Sequence, residues 1–303
     1  MKARQIWVQA LFLVGFVVIN SIVFSASESN VENGQSYHPA FWNASDGQRY
    51  WGVAINLVEK GSFTISTAND EPVKRAGPLS AIVFSVPISL VGFEKSATWI
   101  IIIQCGMLFG AGLLGRTLGV PYGANKNILQ GVLIFNPNLI SLAHHAQSDL
   151  LFAFIFTTLL FIVNKLLLHP TRSKLIWFTL FGILAGLLTL TRHVGLMLSL
   201  TIPIVVLISL AFHKDRRNIS PRTIGIGLIS SVFFFFLVIS PWCVRNYVVF
   251  NNFSPITNHI SQLEYNLSKL ISYNHRIAQR SANELVAAMI DNKLSLAGYS
   301  YSN

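Results

Sequence analysis

Residues that could carry chemistry stand out in a chain that is otherwise strongly apolar. The first group lies between residues 43 and 78, where Asp46 precedes Tyr50 by four residues and Gly61 ends an amphipathic helical pattern. Residues four apart share one face of a helix, so the carboxylate and the phenol belong together. A carboxylate at the mouth of a helical bundle can act as a general base toward an attacking hydroxyl or amine. The simpler alternative is a solvated surface carboxylate.

The composition indicates what surrounds these residues. The chain is 52% hydrophobic and only 11% charged, whereas soluble domains contain about 25% charged residues. It is therefore predicted to be an all-α polytopic membrane protein, a helical bundle with no domain of ordinary soluble character. Cys105 and Cys243 lie far apart within apolar segments, which favours small core residues over a disulfide or a metal site.

Apolar segments of the length that crosses a bilayer, about 17–25 residues, predict about seven transmembrane helices. They run over residues 6–24, 97–115, 127–143, 150–168, 174–191, 194–212 and 223–243. An eighth run, 79–92, has only 14 residues and contains Pro87, so we expect a re-entrant or surface-lying helix in the first outer loop. The first segment exceeds the roughly 7–15 apolar residues of a signal peptide and predicts a retained signal anchor.

The distribution of basic residues predicts the orientation in the membrane, because cytoplasmic loops of membrane proteins are rich in lysine and arginine. With seven spans and a cytoplasmic N-terminus, the inner side holds half of the 22 basic residues but only one of the 12 acidic residues, Asp215. If 79–92 also crossed, most of those basic residues would move outside. The formal charge of +10 is therefore a signal of topology, and nucleic acid is not an expected partner.

This orientation gathers scattered polar residues at one membrane surface. Beside the first loop with Asp46, the candidates at this surface are His144, Asp149, Arg192, His193 and Arg245. Two carboxylates and two arginines converging there form the main functional signal. Guanidinium groups bind phosphate through paired, charge-assisted hydrogen bonds. The competing interpretations are a helix N-cap for Asp149 and snorkelling to the interface for Arg192.

Metal and nucleotide chemistry find less support in the sequence. His144 and His145 with Asp149 could offer metal ligands, but adjacent histidines point in different directions on a helix, so a divalent metal is not favoured. No Walker loop, dinucleotide fingerprint or nucleophile elbow stands in a convincing context. An activated substrate would then arrive already attached to a lipid.

Five motifs, in this order along residues 1–250, resemble the membrane glycosyltransferases of the GT-C class. Their residues are Asp46, Tyr50, Ala54, Leu57 and Gly61; Arg75, Pro78 and Leu79; Pro137, Leu139, Ser148, Asp149, Leu151 and Phe152; Gly182 or Gly186 through Arg192; and Pro241 through Tyr247. The branch they are most similar to includes bacterial protein mannosyltransferases and aminoarabinose transferases. Each motif is weak alone, and the ordered set on one face is the signal.

The resemblance implies an inverting transfer of a sugar from a polyprenyl-phosphate donor to a protein, lipid or glycan acceptor. The reaction would take place at the outer face of a bacterial inner membrane. Asp46 and Asp149 would match the catalytic carboxylates, and Arg192 and Arg245 the basic positions near the donor phosphate. The resemblance implies a lipid-linked sugar as the donor, and a divalent metal is not favoured as a cofactor. Gly47 stands where many relatives carry a second acidic residue, which counts against a metal-assisted variant.

Four further residues complete the predicted substrate site: Tyr50, Arg75, His144 and His193. We expect a catalytic transmembrane module over 1–250 and a short outer helical tail over 251–303. Two other functions stay open. A non-catalytic protein that binds or translocates lipid would keep its activity without Asp46. A pseudo-enzyme that docks another subunit through its tail would consume no lipid-linked sugar.

Overall fold

A computed structural model describes residues 2–28, 45–65, 71–73, 77–118, 125–168, 174–212 and 221–255, together with residue 283. The chain divides into two compact units, Met1–Pro255 and Ile256–Asn303. All helices named below belong to the first unit. Arg75 and nearly all of the predicted tail lie outside the described residues.

Ten helices make up the regular structure of the described ranges. They are α1 (Lys2–Glu28), α2 (Ser45–Lys60), α3 (Pro78–Val91), α4 (Phe93–Leu118), α5 (Lys126–Ile134), α6 (Pro137–Ala143), α7 (Asp149–Leu168), α8 (Lys174–Thr191), α9 (Val194–Phe212) and α10 (Pro221–Phe250). One isolated antiparallel bridge joins Thr64 to Pro72. The prediction of an all-helical fold is confirmed.

Four of these helices contain segments long and apolar enough to cross a membrane. The segments are Gln5–Ser25, Lys95–Leu118, Asp149–Leu167 and Arg222–Phe250. Helices α3, α8 and α9 contribute shorter apolar segments. The described part of the chain thus has four helices with the length and apolar composition of membrane spans, and the full set of seven spans stays a prediction.

The predicted third span, 127–143, is not one continuous helix. It forms α5 and α6, which are separated at Phe135 and Asn136. Pro137 lacks the N–H that a helix interior needs, and its ring clashes with the preceding turn. The Asn136 side chain instead caps α6 by accepting hydrogen bonds from the backbone N–H groups of Asn138 and Leu139. A broken segment therefore replaces the continuous span.

Helix α8 is central to the packing of the bundle, because α7, α9 and α10 all contact it. Its buried face includes Phe181 and Leu188, which share an apolar cluster with Leu159 of α7. Close approach of α10 depends on Gly182, where a Cβ atom would lie 2.2 Å from the carbonyl oxygen of Ser231. Small residues let two helices pack backbone to backbone in this way.

Helix α1 lies antiparallel to α4 and places the N-terminus at one end of the bundle. The Cys105 thiol of α4 donates to Asn20 Oδ1 at 3.3 Å. Gln9 is paired with Gln130 at 2.9 Å and lines a groove with Arg116. We call this end the basic end. The opposite end, where the loops after α2, α6 and α8 lie, is called the site end.

Gly77, which caps the start of α3, lies against the last carbonyl groups of α8. A Cβ atom at this position would be 2.2 Å from Leu190 O and 2.4 Å from Thr191 O. Backbone atoms cannot turn aside as a flexible side chain can, so we expect Gly77→Ala to lower the free energy of unfolding by about 1–3 kcal/mol. Gly106→Ala is the control, because nothing lies within 4 Å of that Cβ and alanine favours helix. Equal melting temperatures in detergent for the two variants would contradict the prediction.

Candidate functional site

Helix α2 and the loop between α6 and α7 meet at Tyr50. Its buried hydroxyl accepts a hydrogen bond from Ser148 Oγ at 3.0 Å. The same face of α2 packs through Trp51 and Ala54 into an apolar cluster that includes Ile100 of α4. The amphipathic pattern of α2 is therefore used to fix this helix against α4 and against the residue that precedes α7.

Asp46 stands in the first turn of α2, four residues before Tyr50. One helical turn rises about 5.4 Å, so the backbone at position 46 is close to the Tyr50–Ser148 contact along one helix face. The positive end of the helix dipole also favours a carboxylate in a first turn. The side chain of Asp46 lies outside the described part of the structure, and its role as a base stays a prediction.

The second and third loops are joined by an ion pair between Asp149 and Arg192. Asp149 is the first residue of α7, and Arg192 directly follows α8. The backbone N–H of Arg192 donates to Leu188 O at 3.3 Å, which extends the α8 hydrogen-bond ladder by one residue. Since Ser148 and Asp149 are neighbours, Tyr50 and Arg192 are connected through two consecutive residues. Helix α2, the start of α7 and the turn after α8, which are distant in sequence, thus meet at one place.

Exposure indicates what this ion pair can contribute. The side chains of Arg192 and Asp149 are 36% and 39% exposed. Ion pairs with this access to water add only about 0–1 kcal/mol to stability. The fold gains little from the pair, whereas a guanidinium that is both oriented and reachable from solvent is suited to bind an anion.

Arg245 is held in a different way. Its guanidinium lies 4.6 Å from the ring centroid of Trp242 and 5.0 Å from that of Phe250. It donates to Val73 O at 3.0 Å and to Phe63 O at 3.2 Å, both in the first loop. These contacts attach the end of α10 to the bridged segment after α2. The predicted phosphate role of Arg245 stays a prediction.

We expect Arg245→Ala to lower the free energy of unfolding by about 2–4 kcal/mol, because two carbonyl groups lose a charged donor and two rings lose a cation. Arg245→Lys should lose an intermediate amount, since an ammonium cannot reproduce the planar fork that serves both carbonyls. Arg222→Ala, at an exposed position in the first turn of α10, is the matched control. Thermal unfolding in detergent measures all three, and equal melting temperatures for the two alanine variants would refute the stabilising role of the Arg245 contacts.

His144 lies beneath the second loop rather than at its surface. The residue is 1% exposed, and its Nδ1 is 2.9 Å from Ile140 O. A carbonyl oxygen can only accept, so Nδ1 carries the hydrogen. Gln104 of α4 holds the same loop by donating to Ala143 O at 3.1 Å and to His145 O at 3.0 Å. The structure thus places His144 in buried packing, and its predicted role in substrate binding stays a prediction.

Three residues remain to be placed: the predicted His193 and Arg75, and Gln104, which was not predicted. His193 lies in the turn beside Arg192 and is half-buried, whereas Arg75 is outside the described ranges. Gln104 was not among the predicted residues, although a glutamine within an apolar helix is a signal of a buried hydrogen-bonding role. Among the described residues, no group of three histidine, cysteine or acidic side chains is placed to hold a metal ion.

No family model, curated protein or solved structure matches this chain. The likeness to the GT-C class therefore depends on the five ordered motifs. Functional assignment depends on what the residues at the site end can do chemically. Of the predicted residues, the structure brings together Tyr50, Asp149 and Arg192, and it ties Arg245 to the first loop.

Proposed function

We propose that this protein is a membrane glycosyltransferase that takes a sugar from a polyprenyl-phosphate donor and passes it, with inversion, to an acceptor at the membrane surface. The observation that carries the proposal is the meeting of Tyr50, Ser148, Asp149 and Arg192 from three parts of the chain that are distant in sequence. A carboxylate position and an anion-binding position then lie at the same end of a bundle of apolar helices. A lipid phosphate in a bilayer reaches such an end.

The reaction is a single displacement at the anomeric carbon. The acceptor hydroxyl or amine forms the new bond to that carbon as the bond to the phosphate oxygen breaks, and polyprenyl phosphate departs. Asp46 takes the proton of the acceptor, which increases its nucleophilicity during attack. Arg192 neutralises the negative charge that grows on the departing phosphate, an electrostatic contribution of the kind that dominates many enzymes.

Asp149 acts in this scheme as the orienter of Arg192. A guanidinium has five N–H donors in a fixed plane, and the ion pair engages the Nη1 nitrogen. Because the ion pair already restricts the guanidinium, its remaining N–H donors are held in position. Less rotamer freedom is then lost when a phosphate binds. The pair therefore preorganises the anion-binding position.

The topology proposed with this function has seven crossings, a cytoplasmic N-terminus and an extracytoplasmic site in a bacterial inner membrane. It is supported by the basic end of the bundle, where the N-terminal part of α1 lies beside Arg116. Cytoplasmic ends of membrane proteins carry such basic residues. The broken segment α5–α6 and the shorter helices α8 and α9 would then supply the crossings beyond the four long helices.

Turnover by the purified full chain in liposomes tests the proposal. A panel of polyprenyl-phosphate sugars is supplied with candidate acceptors, and the release of free polyprenyl phosphate is measured. We expect release with at least one donor and none from a phosphonate analogue whose sugar cannot be displaced. Donors that bind but are never consumed, across the full panel, would refute transfer.

A lipid-binding or translocating protein is the second candidate. The feature that favours it is the accessible ion pair, because Arg192 could hold a lipid phosphate without any base. Under this function, Asp46→Ala would leave activity intact, whereas Arg192→Ala would remove it. The turnover assay separates the two functions because only a transferase releases polyprenyl phosphate.

A further inference from the structure

A cleft of about 540 Å³ lies between α8, α9 and α10. It forms because α9 and α10 both pack on α8 but scarcely on each other. Buried residues of α8, among them Phe181 and Ala185, make its floor, and exposed residues of the two walls make its rim. The rim includes Ile204 of α9 and Val232 of α10. The cleft therefore opens sideways, toward the surface that a bilayer would cover.

The two hydroxyl groups in the lining already donate their hydrogens within the protein. Ser199 Oγ lies 2.9 Å from Ala185 O and 2.7 Å from Gly195 O. Ser231 Oγ lies 2.7 Å from Phe178 O. Each hydroxyl hydrogen is thus directed at backbone carbonyl groups. The lining side chains therefore offer no free hydrogen-bond donor to replace those of water, which disfavours a polar occupant and favours an apolar one.

The size of the cleft decides between the two apolar occupants of a membrane, a helix and a lipid chain. A helix with its side chains is about 10–12 Å across, so a volume of this size would admit little more than one turn. An extended hydrocarbon chain needs no such width. A single chain that slides in from the bilayer suits a narrow, laterally open cleft.

The position of the cleft indicates what the chain is attached to. Ala185 and Ser199 form its end nearest the α8–α9 turn, and each is seven residues from Arg192 in sequence. At a rise of 1.5 Å per residue, this is about 10 Å along the helices. The first part of a lipid chain spans that distance, so its head group would lie beside the guanidinium. The charge of Arg192 calls for an anionic head group such as a phosphate.

We propose that the cleft binds the hydrocarbon chain of a single-chain lipid phosphate, with the phosphate at Arg192. The identification of this lipid as an isoprenyl phosphate rests on the proposed function, whereas the binding itself needs no sugar transfer. One cleft receives one chain. The protein should therefore prefer an isoprenyl phosphate to a phosphatidic acid, which has the same head group chemistry but two chains.

Photolabelling in liposomes tests this proposal on the full chain. The probe is farnesyl phosphate with a diazirine near the far end of its chain, and labelled peptides are identified by mass spectrometry. We expect labelling of α8, α9 and α10 that unlabelled farnesyl phosphate competes away and that dioleoyl phosphatidic acid does not. Labelling spread evenly over all exposed helix faces, or equal competition by both lipids, would overturn the proposal.

Matched tryptophan variants locate the binding within the cleft. Ile204 lines the cleft and is 57% exposed, whereas its neighbour Val205 is 54% exposed and does not line it. Ile204→Trp should fill the cleft and reduce specific labelling about tenfold, a loss of about 1.4 kcal/mol in binding. Val205→Trp should change nothing. Equal labelling of these two variants would overturn the proposal.

The opposite wall provides a second pair, in case a substitution in α9 disturbs folding. Val232 lines the cleft and the adjacent Phe233 does not, and both are exposed. Val232→Trp should reduce labelling as Ile204→Trp does, whereas Phe233→Trp should not. Specific labelling of a protein that never releases polyprenyl phosphate would support lipid binding in the cleft and refute the proposed function. Turnover, together with labelling that neither Ile204→Trp nor Val232→Trp reduces, would refute lipid binding in the cleft and leave the proposed function intact.

Discussion

Asp46→Asn is expected to lower the rate of sugar transfer by roughly 10²–10⁴-fold, the contribution typical of general acid–base catalysis. Asparagine has the same shape as aspartate, but its amide cannot take a proton from the acceptor. The loss should fall equally on kcat and on kcat/KM, because the base acts in the transition state and not in donor binding. Product formation and release of polyprenyl phosphate, measured across donor concentrations, give both quantities.

Glu59→Gln is the matched control for this result. Glu59 lies in the same helix α2, near the end remote from Asp46, and is exposed. Its loss removes one negative charge from the same helix at an exposed position about 20 Å along the helix axis from Asp46, so turnover should match that of the unchanged protein. Comparable losses in the two variants would assign the effect to charge or folding. Full activity in Asp46→Asn would end the role of Asp46 as the base.

Helix α2 illustrates what sequence periodicity can settle. Its apolar residues recur at helical spacing, and the helix ends at Lys60, as the pattern predicts. Gly61 has φ of +65°, a conformation that glycine adopts without the steric cost of a side chain. Both signals are local, so a reading of the sequence alone captures them.

The broken segment 127–143 is a case in which two local signals conflict. Apolar length favours one span, whereas Pro137 after Asn136 is a typical helix start. The structure follows the proline, because a missing N–H and a steric clash act on the backbone directly. Average hydropathy over a window only describes preference for an apolar environment. It does not decide where a helix begins or ends.

Contacts between residues that are distant in sequence could not be predicted from the sequence alone. Topology places Asp149 and Arg192 on one side, but it does not reveal that they form an ion pair. The partners of Arg245 were still harder to foresee, since they are carbonyl oxygens of Phe63 and Val73. Every residue has a carbonyl group, so residue types give no hint of such an acceptor. Only packing selects which carbonyl groups a guanidinium meets.

The ion pair allows the sharpest test of where the donor phosphate binds. Arg192→Gln is expected to raise the dissociation constant of a polyprenyl-phosphate donor by roughly 10–100-fold, because a hydrogen-bonded charge contributes about 1.5–3 kcal/mol. The variant should melt at nearly the same temperature as the unchanged protein, since so exposed a pair stabilises the fold little. Arg222→Gln, exposed at the basic end, should alter neither quantity.

A double-mutant cycle with Asp149 then separates phosphate binding from a purely structural pair. In Arg192→Gln the carboxylate of Asp149 is left beside the incoming phosphate, and two like charges repel each other. Adding Asp149→Asn removes that repulsion, so the double variant should bind the donor more tightly than Arg192→Gln alone. Equilibrium binding of the donor by the four proteins gives the coupling free energy. If the pair only ties α7 to α8, the melting temperature of Arg192→Gln would fall, the dissociation constants of all four proteins would agree, and the donor phosphate would have to bind elsewhere.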